Sequence, residues 1–199
     1  MSGLNRRDFL KTGVAATALR GWHGTAATRR SAVDWVPLGK SGVKVTRLAF
    51  GTGSFGGRVQ RELGQEQFTR LVRHAYERGV RFFETADSYT GMPQMLATAL
   101  RGVPRDSYRL MTKYRVREAD DTKATIDRFR KDLNSDYIDI LLIHCVRSPR
   151  WPRELMRLED AFSEAKAKQL ILAHGASVHG LLPLRAFPGN PWLDVALLR

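Results

Sequence analysis

Asp87, Tyr89, Lys113 and His144 are the side chains whose types and positions in this sequence could do chemistry. Asp87 and Tyr89 stand in Glu84-Thr85-Ala86-Asp87-Ser88-Tyr89, just after an apolar run. Lys113 closes Leu110-Met111-Thr112-Lys113, and His144 closes Ile140-Leu141-Leu142-Ile143-His144. A carboxylate, a phenol, an ammonium and an imidazole are groups that give, take and steer protons. Singly, each has a plainer reading. Asp-x-Tyr is commonly a turn, a lysine after a strand is commonly solvated, and a histidine ending an apolar strand is often a satisfied core residue. Their joint occurrence at the ends of three successive apolar runs sets them apart. If those runs are neighbouring parallel strands of a barrel, the side chains converge on its C-terminal rim, where barrel active sites lie. Cys145, next to His144, reads as a small buried filler. No His, Cys or carboxylate spacing suggests a metal site.

The elements that must position these residues alternate along the chain. Residues 36–45 read as a hairpin around Gly39-Lys40-Ser41-Gly42, and Leu48–Gly51 as a first buried strand. Gln65–Arg78 is a helix with Phe68, Leu71, Val72, Ala75 and Tyr76 on one face. Strands follow at Val80–Glu84, Tyr108–Thr112, Tyr137–Ile143, Ile171–Ala173 and Val195–Leu198. Helices lie between them at Pro93–Leu100, Thr122–Leu133 and Pro152–Lys168, with a helical turn over Leu181–Phe187. Such alternation argues a parallel sheet with helical crossovers. Periodicity alone does not separate a doubly wound sheet from a closed barrel. Gly51-Thr52-Gly53-Ser54-Phe55-Gly56 scans as G-x-G-x-x-G, but a dinucleotide-binding turn opens its helix at once. Here about a dozen residues, mostly polar, come first.

Several separated segments, in order, resemble the signature segments of the aldo/keto reductase family: LGKSGVKVTRLAFGTGSFGG (38–57), TADSY (85–89), the strand ending in Thr112-Lys113, and DYIDILLIH (136–144). The resemblance covers Val36 to Arg199. It implies a (β/α)8 TIM barrel with a short N-terminal β-hairpin, and an NADPH-dependent enzyme reducing a small aldehyde or ketone. It maps the family's catalytic tetrad onto Asp87, Tyr89, Lys113 and His144. Tyr89 would give the carbonyl oxygen its proton. A phenol of pKa about 10 is poorly matched to neutral pH, and a nearby Lys113 ammonium would lower that pKa. Asp87 would hold Lys113 charged and in place, and His144 would donate a hydrogen bond to the substrate oxygen. For the cofactor, the resemblance implies contacts from Gly51, Thr52, Asp87 and Ser177. Val178 stands where the family often has an Asn beside that serine.

Composition bounds the rest. The 199 residues are 43% hydrophobic and 27% charged, ordinary for a globular chain. The formal charge is +13 and the sequence pI about 10.6. The Lys and Arg residues are scattered, without zinc-finger, arginine-rich or RNP motifs, so nucleic acid is not the expected partner; a polyanionic cofactor would itself gain from a positive field. The lone Cys145 allows no internal disulfide. No apolar run reaches the roughly 20 residues that span a bilayer. Residues 1–33 read as a separate piece. Asn5-Arg6-Arg7-Asp8-Phe9-Leu10-Lys11 resembles a twin-arginine signal, followed by an apolar stretch from Thr12 to Leu19. That implies the twin-arginine translocation machinery as partner and a periplasmic destination, with the cytoplasm as the alternative. Residues 34–199 would then be the barrel domain. A barrel of this type has eight strands in about 250 residues, whereas six strands are read here. The expectation is therefore a barrel incomplete at its C-terminus, from a truncated gene product that binds NADPH weakly. The alternative function is a non-catalytic remnant or a cofactor-sensing binding module on the same fold.

Overall fold

Successive side chains of a strand point to opposite faces, so each strand's odd and even residues separate into two layers. The computed structural model, which describes residues 29–117 and 121–198, sorts them in this way. An antiparallel hairpin comes first, β1 (Trp35–Pro37) against β2 (Lys44–Thr46), with Trp35 opposite Thr46. Then β3 (Ala49–Gly51), β4 (Phe82–Glu84), β5 (Arg109–Tyr114), β6 (Ile138–Val146), β7 (Ile171–Val178) and β8 (Val195–Leu198) form one six-stranded sheet. All its pairings are parallel.

The strand order is strictly sequential. A doubly wound sheet reverses its direction of growth at a switch point, whereas here every strand adds beside its predecessor, as in a (β/α) barrel. The sheet curls into a half-barrel. Its two edge strands face one cavity, with Ala49 and Gly51 of β3 and Leu197 and Leu198 of β8 among the lining residues. The inner layer is a small apolar cluster that includes Phe82, Met111, Ile140, Leu142, Ala173 and Val195, with Val43 and Val45 from the hairpin side. The outer layer is larger. There Phe83, Leu110, Leu141, Ile143 and Ala176 meet the helices.

Those helices are α1 (Arg58–Glu62), α2 (Gly64–Glu77), α3 (Met92–Ala99), α4 (Thr122–Asp132), α5 (Trp151–Glu154), α6 (Met156–Ala167) and α7 (Leu181–Leu184). Phe68 and Val72 of α2 are fully buried as the pattern requires. Leu71, on the margin of the stripe, is exposed. The Asp121 carboxylate caps α4, accepting from the backbone N–H groups of Lys123 and Ala124.

Three elements differ from the sequence reading. The stretch before α2, read as polar loop, contains α1. The helix expected over 152–168 is two, α5 and α6, meeting at Leu155 with φ −117°. β7, expected to end at Ala173, runs to Val178 because β6 pairs with it on one side and β8 on the other. Its Gly175 marks how closely β8 approaches: a Cβ there would land on the Val195 carbonyl. The twin-arginine run at 5–11 lies outside the described residues. No helix among the described residues is long and apolar enough to cross a membrane, and no group of His, Cys and carboxylates among them could hold a metal.

One buried carboxylate ties the base of the sheet together. Asp139 is 1% exposed. It accepts the Leu110 backbone N–H at 2.9 Å and the Arg105 Nη2 at 2.5 Å, and stands 3.4 Å from Arg109 Nε. Removing one partner of a buried charged network leaves the others uncompensated. Asp139→Ala is therefore expected to lower stability by about 3 kcal/mol, read as a lower urea midpoint with the slope of the transition unchanged.

Candidate active site

Parity carries a row of side chains to the C-terminal end of the curled sheet. The inward residues are Gly51 on β3, Phe82 and Glu84 on β4, Met111 and Lys113 on β5, Ile140, Leu142 and His144 on β6, and Ala173, Gly175 and Ser177 on β7. Gly51, Glu84, Lys113, His144 and Ser177 all line one cavity of about 530 Å³, and Tyr89 and His179 join them from loops.

Lys113 is buried in its wall. An ammonium has three donors and no acceptor, and three oxygens surround this one. Nζ donates to Glu84 Oε1, to the Thr85 carbonyl at 2.8 Å and to the Tyr89 hydroxyl at 3.3 Å. Burial draws the Lys113 pKa down from the ordinary lysine value to about 7, while the Glu84 carboxylate beside it favours the charged form. The Tyr89 ring stands edge-on to the His144 ring, centroids 5.8 Å apart. Gly53 lies under the Tyr89 ring, and a Cβ there would come within 2.8 Å of it. A residue with any side chain at 53 would push the phenol out of place. His144 Nδ1 is 3.1 Å from the Ser88 hydroxyl, which fixes the plane of the imidazole.

Tyr89, Lys113 and His144 are thus brought together as expected, but Asp87 is not. Its pairing with Lys113 is made by Glu84 instead. The reason is parity. Past the end of β4 the ladder continues, with the Thr85 N–H donating to the Met111 carbonyl and the Asp87 N–H to the Lys113 carbonyl. Asp87 lies an odd number of residues beyond the inward Glu84 and faces the other way. Its Oδ1 accepts the Arg115 backbone N–H at 3.1 Å, and Oδ2 is 3.6 Å from Arg117. Burial pushes the Asp87 carboxyl above its usual pKa. Asp87 is not among the residues lining the cavity, so the cofactor contact expected of it is not placed there either.

The other expected cofactor contacts lie at the rim. Gly51 lines the cavity. The Thr52 N–H donates to the Glu84 carbonyl at 3.0 Å, and the buried Thr52 hydroxyl has no hydrogen-bond partner among the described residues. The Ser177 hydroxyl accepts the Cys145 N–H at 2.7 Å, leaving its own proton to donate. That bond depends on a bulge, for the β6–β7 register shifts between Ile143 and Val146. Cys145 there has φ +62°, and it is half-exposed rather than a buried filler. Glu84, Ser88 and Gly53 were missed in the sequence. Counting by twos from Phe82 would have found Glu84; nothing local marks the other two.

Residues 47–181 match the model of the aldo/keto reductase family. In sequence, the chain is 35% identical over 118 residues to L-galactose dehydrogenase of Arabidopsis thaliana, covering 54% of this chain and 36% of that protein. It therefore spans about a third of the length of that relative. In structure, an aldo-keto reductase from Pseudomonas aeruginosa superposes with a TM-score of 0.71 at 25% identity, over 85% of this chain and 69% of that one. An aldo-keto reductase from Klebsiella pneumoniae, solved in complex with NADPH, superposes with a TM-score of 0.57 at 24% identity, over 72% and 49%. The family match extends over more than half of the chain and takes in Glu84, Tyr89, Lys113 and His144, so this protein belongs to the aldo/keto reductase family.

Proposed function

We propose that the cavity is a carbonyl-reducing site, in which a small aldehyde or ketone becomes an alcohol at the expense of NADPH. The observation that carries this reading is the buried Lys113 ammonium, held by Glu84 and hydrogen-bonded to the Tyr89 hydroxyl beside the His144 ring. When bound, the reduced nicotinamide supplies a hydride to the carbonyl carbon. Tyr89 supplies the matching proton to the carbonyl oxygen, so that a C–H and an O–H bond form as the carbonyl π bond is lost. The Lys113 charge stabilises the phenolate left behind and so lowers the cost of giving up that proton. His144, oriented by Ser88, polarises the carbonyl oxygen. The Thr52 hydroxyl without a partner and the spare proton of Ser177 fit the amide end of a nicotinamide, which these two residues and Gly51 would hold.

Tyr89→Phe is expected to lower NADPH-dependent turnover of an aromatic aldehyde by about 10²-fold or more, with the thermal melt unchanged. Unaltered turnover would remove Tyr89 from the chemistry.

The roles of the two carboxylates separate by pH. Burial draws the Lys113 pKa down to about 7, and the Glu84 carboxylate favours the charged form. Without Glu84 the lysine gives up its proton at lower pH. Glu84→Gln is therefore expected to lose rate at a lower pH than the unsubstituted protein does as the solution is made more alkaline. Asp87→Asn is expected to leave that profile in place. A pH–rate series on the three proteins measures this, and an alkaline loss confined to Asp87→Asn would reverse the assignment.

Export rests on the run Asn5 to Lys11 alone. Replacing both Arg6 and Arg7 by Lys is expected to keep the protein out of the periplasmic fraction.

A further inference from the structure

A second cavity, of about 450 Å³, adjoins the reaction site, and His144 lines both. It opens among the loops that follow β4, β5 and β6. Its apolar wall is made by Ile143, Val146, Trp151 and Leu155, and its polar wall by Arg115 and Arg147. Both arginines are exposed, and neither guanidinium is in an ion pair among the described residues. Glu154 also lines the cavity, but its carboxylate is engaged, accepting the Ser148 hydroxyl at 3.0 Å and standing 3.3 Å from Arg150. Trp151 is 1% exposed, yet among the described residues its indole N–H has no acceptor. A buried donor without a partner is rare in a folded protein. Two cations are thus collected on a cavity with one apolar wall, which Ser88, Ser148 and Glu154 also line, next to the residue assigned to the carbonyl oxygen.

Asp87, which does not serve Lys113, has a place here. By accepting the Arg115 backbone N–H it pins the segment that presents Arg115. It is a positioning residue for this wall.

We infer that this cavity is an anion subsite, and that the carbonyl compound reduced at Tyr89 carries a carboxylate on an apolar or aromatic body. A guanidinium fork matches a carboxylate's two oxygens, and the wall of Ile143, Val146 and Leu155 suits an apolar body. The inference rests on the reductase reading for the word substrate, but the subsite can be tested by binding alone.

The test is calorimetric titration of the full chain with 4-formylbenzoate and with its methyl ester, which has the same ring and aldehyde but no charge. The acid is expected to bind about tenfold more tightly. Arg115→Gln and Arg147→Gln should each shrink that gap, and the double variant should abolish it. Arg147→Lys, which keeps the charge but not the fork, should retain part of it. Arg70→Gln, on the exposed face of α2, should leave it whole, which separates the site from the general field of a +13 chain. Equal binding of acid and ester, or a gap that survives the double variant, overturns the proposal. Tyr89→Phe should keep the gap and lose turnover. A gap without turnover in the unsubstituted protein would count against the reductase reading and leave the subsite standing.

Discussion

On the proposed reading, the chemistry depends on a lysine that is buried and yet held. Removing an ammonium from water is costly, and an unpaired one would shed its proton instead. Lys113 has each of its three donors directed at an oxygen, two of them from the segment that follows β4. One of these is the Tyr89 hydroxyl, so the arrangement that makes the cation tolerable also brings the phenol within its field. On that reading, structural satisfaction and catalytic tuning are the same set of contacts.

That set exists only because the sheet is sequential and parallel. β4 and β5 are neighbours with Glu84 level with Met111, so an inward Lys113, two residues further on, rises past the carboxylate towards the loop that carries Tyr89. His144 reaches the same level from β6 because that strand continues through a bulge instead of stopping at Ile143. The left-handed backbone at Cys145 turns its N–H to Ser177, binding the ends of β6 and β7 together at the rim. Close contact from below completes the frame, with Gly53 admitting the Tyr89 ring where any side chain would intrude.

Much of this was legible in the residues. The strand–helix alternation was plain, and Tyr89, Lys113 and His144 stand out because each follows a strongly apolar run. What escaped depends on facts outside a local window. The length of β7 is set by two partners rather than by its own His174-Gly175-Ala176-Ser177, which has weak strand character. The break at Leu155 has no sequence mark. The assignment of Asp87 as the partner of Lys113 came from the resemblance of TADSY to the family's signature, which does not follow alternation past the strand end. Parity separates the two residues, and the ladder bonds at Thr85 and Asp87 show that alternation persists there.

The displaced carboxylate is informative because of where it points. An acidic group buried against backbone needs donors. Asp87 finds one in the Arg115 N–H and charge in Arg117, both on the segment leaving β5. Lys113 and Arg115 lie on that same short stretch, one inward and one past the rim. Glu84 holds the charge of the first, and Asp87 holds the backbone N–H of the second. Two acidic residues three apart thus set two cations on either side of His144, one facing the cavity that holds Tyr89 and the other facing the cavity walled by Trp151. On the proposed reading this spacing couples reaction to recognition. A substrate carboxylate drawn to the outer cation would bring its carbonyl towards the inner one, and the distance between the two would select the length of the molecule between them.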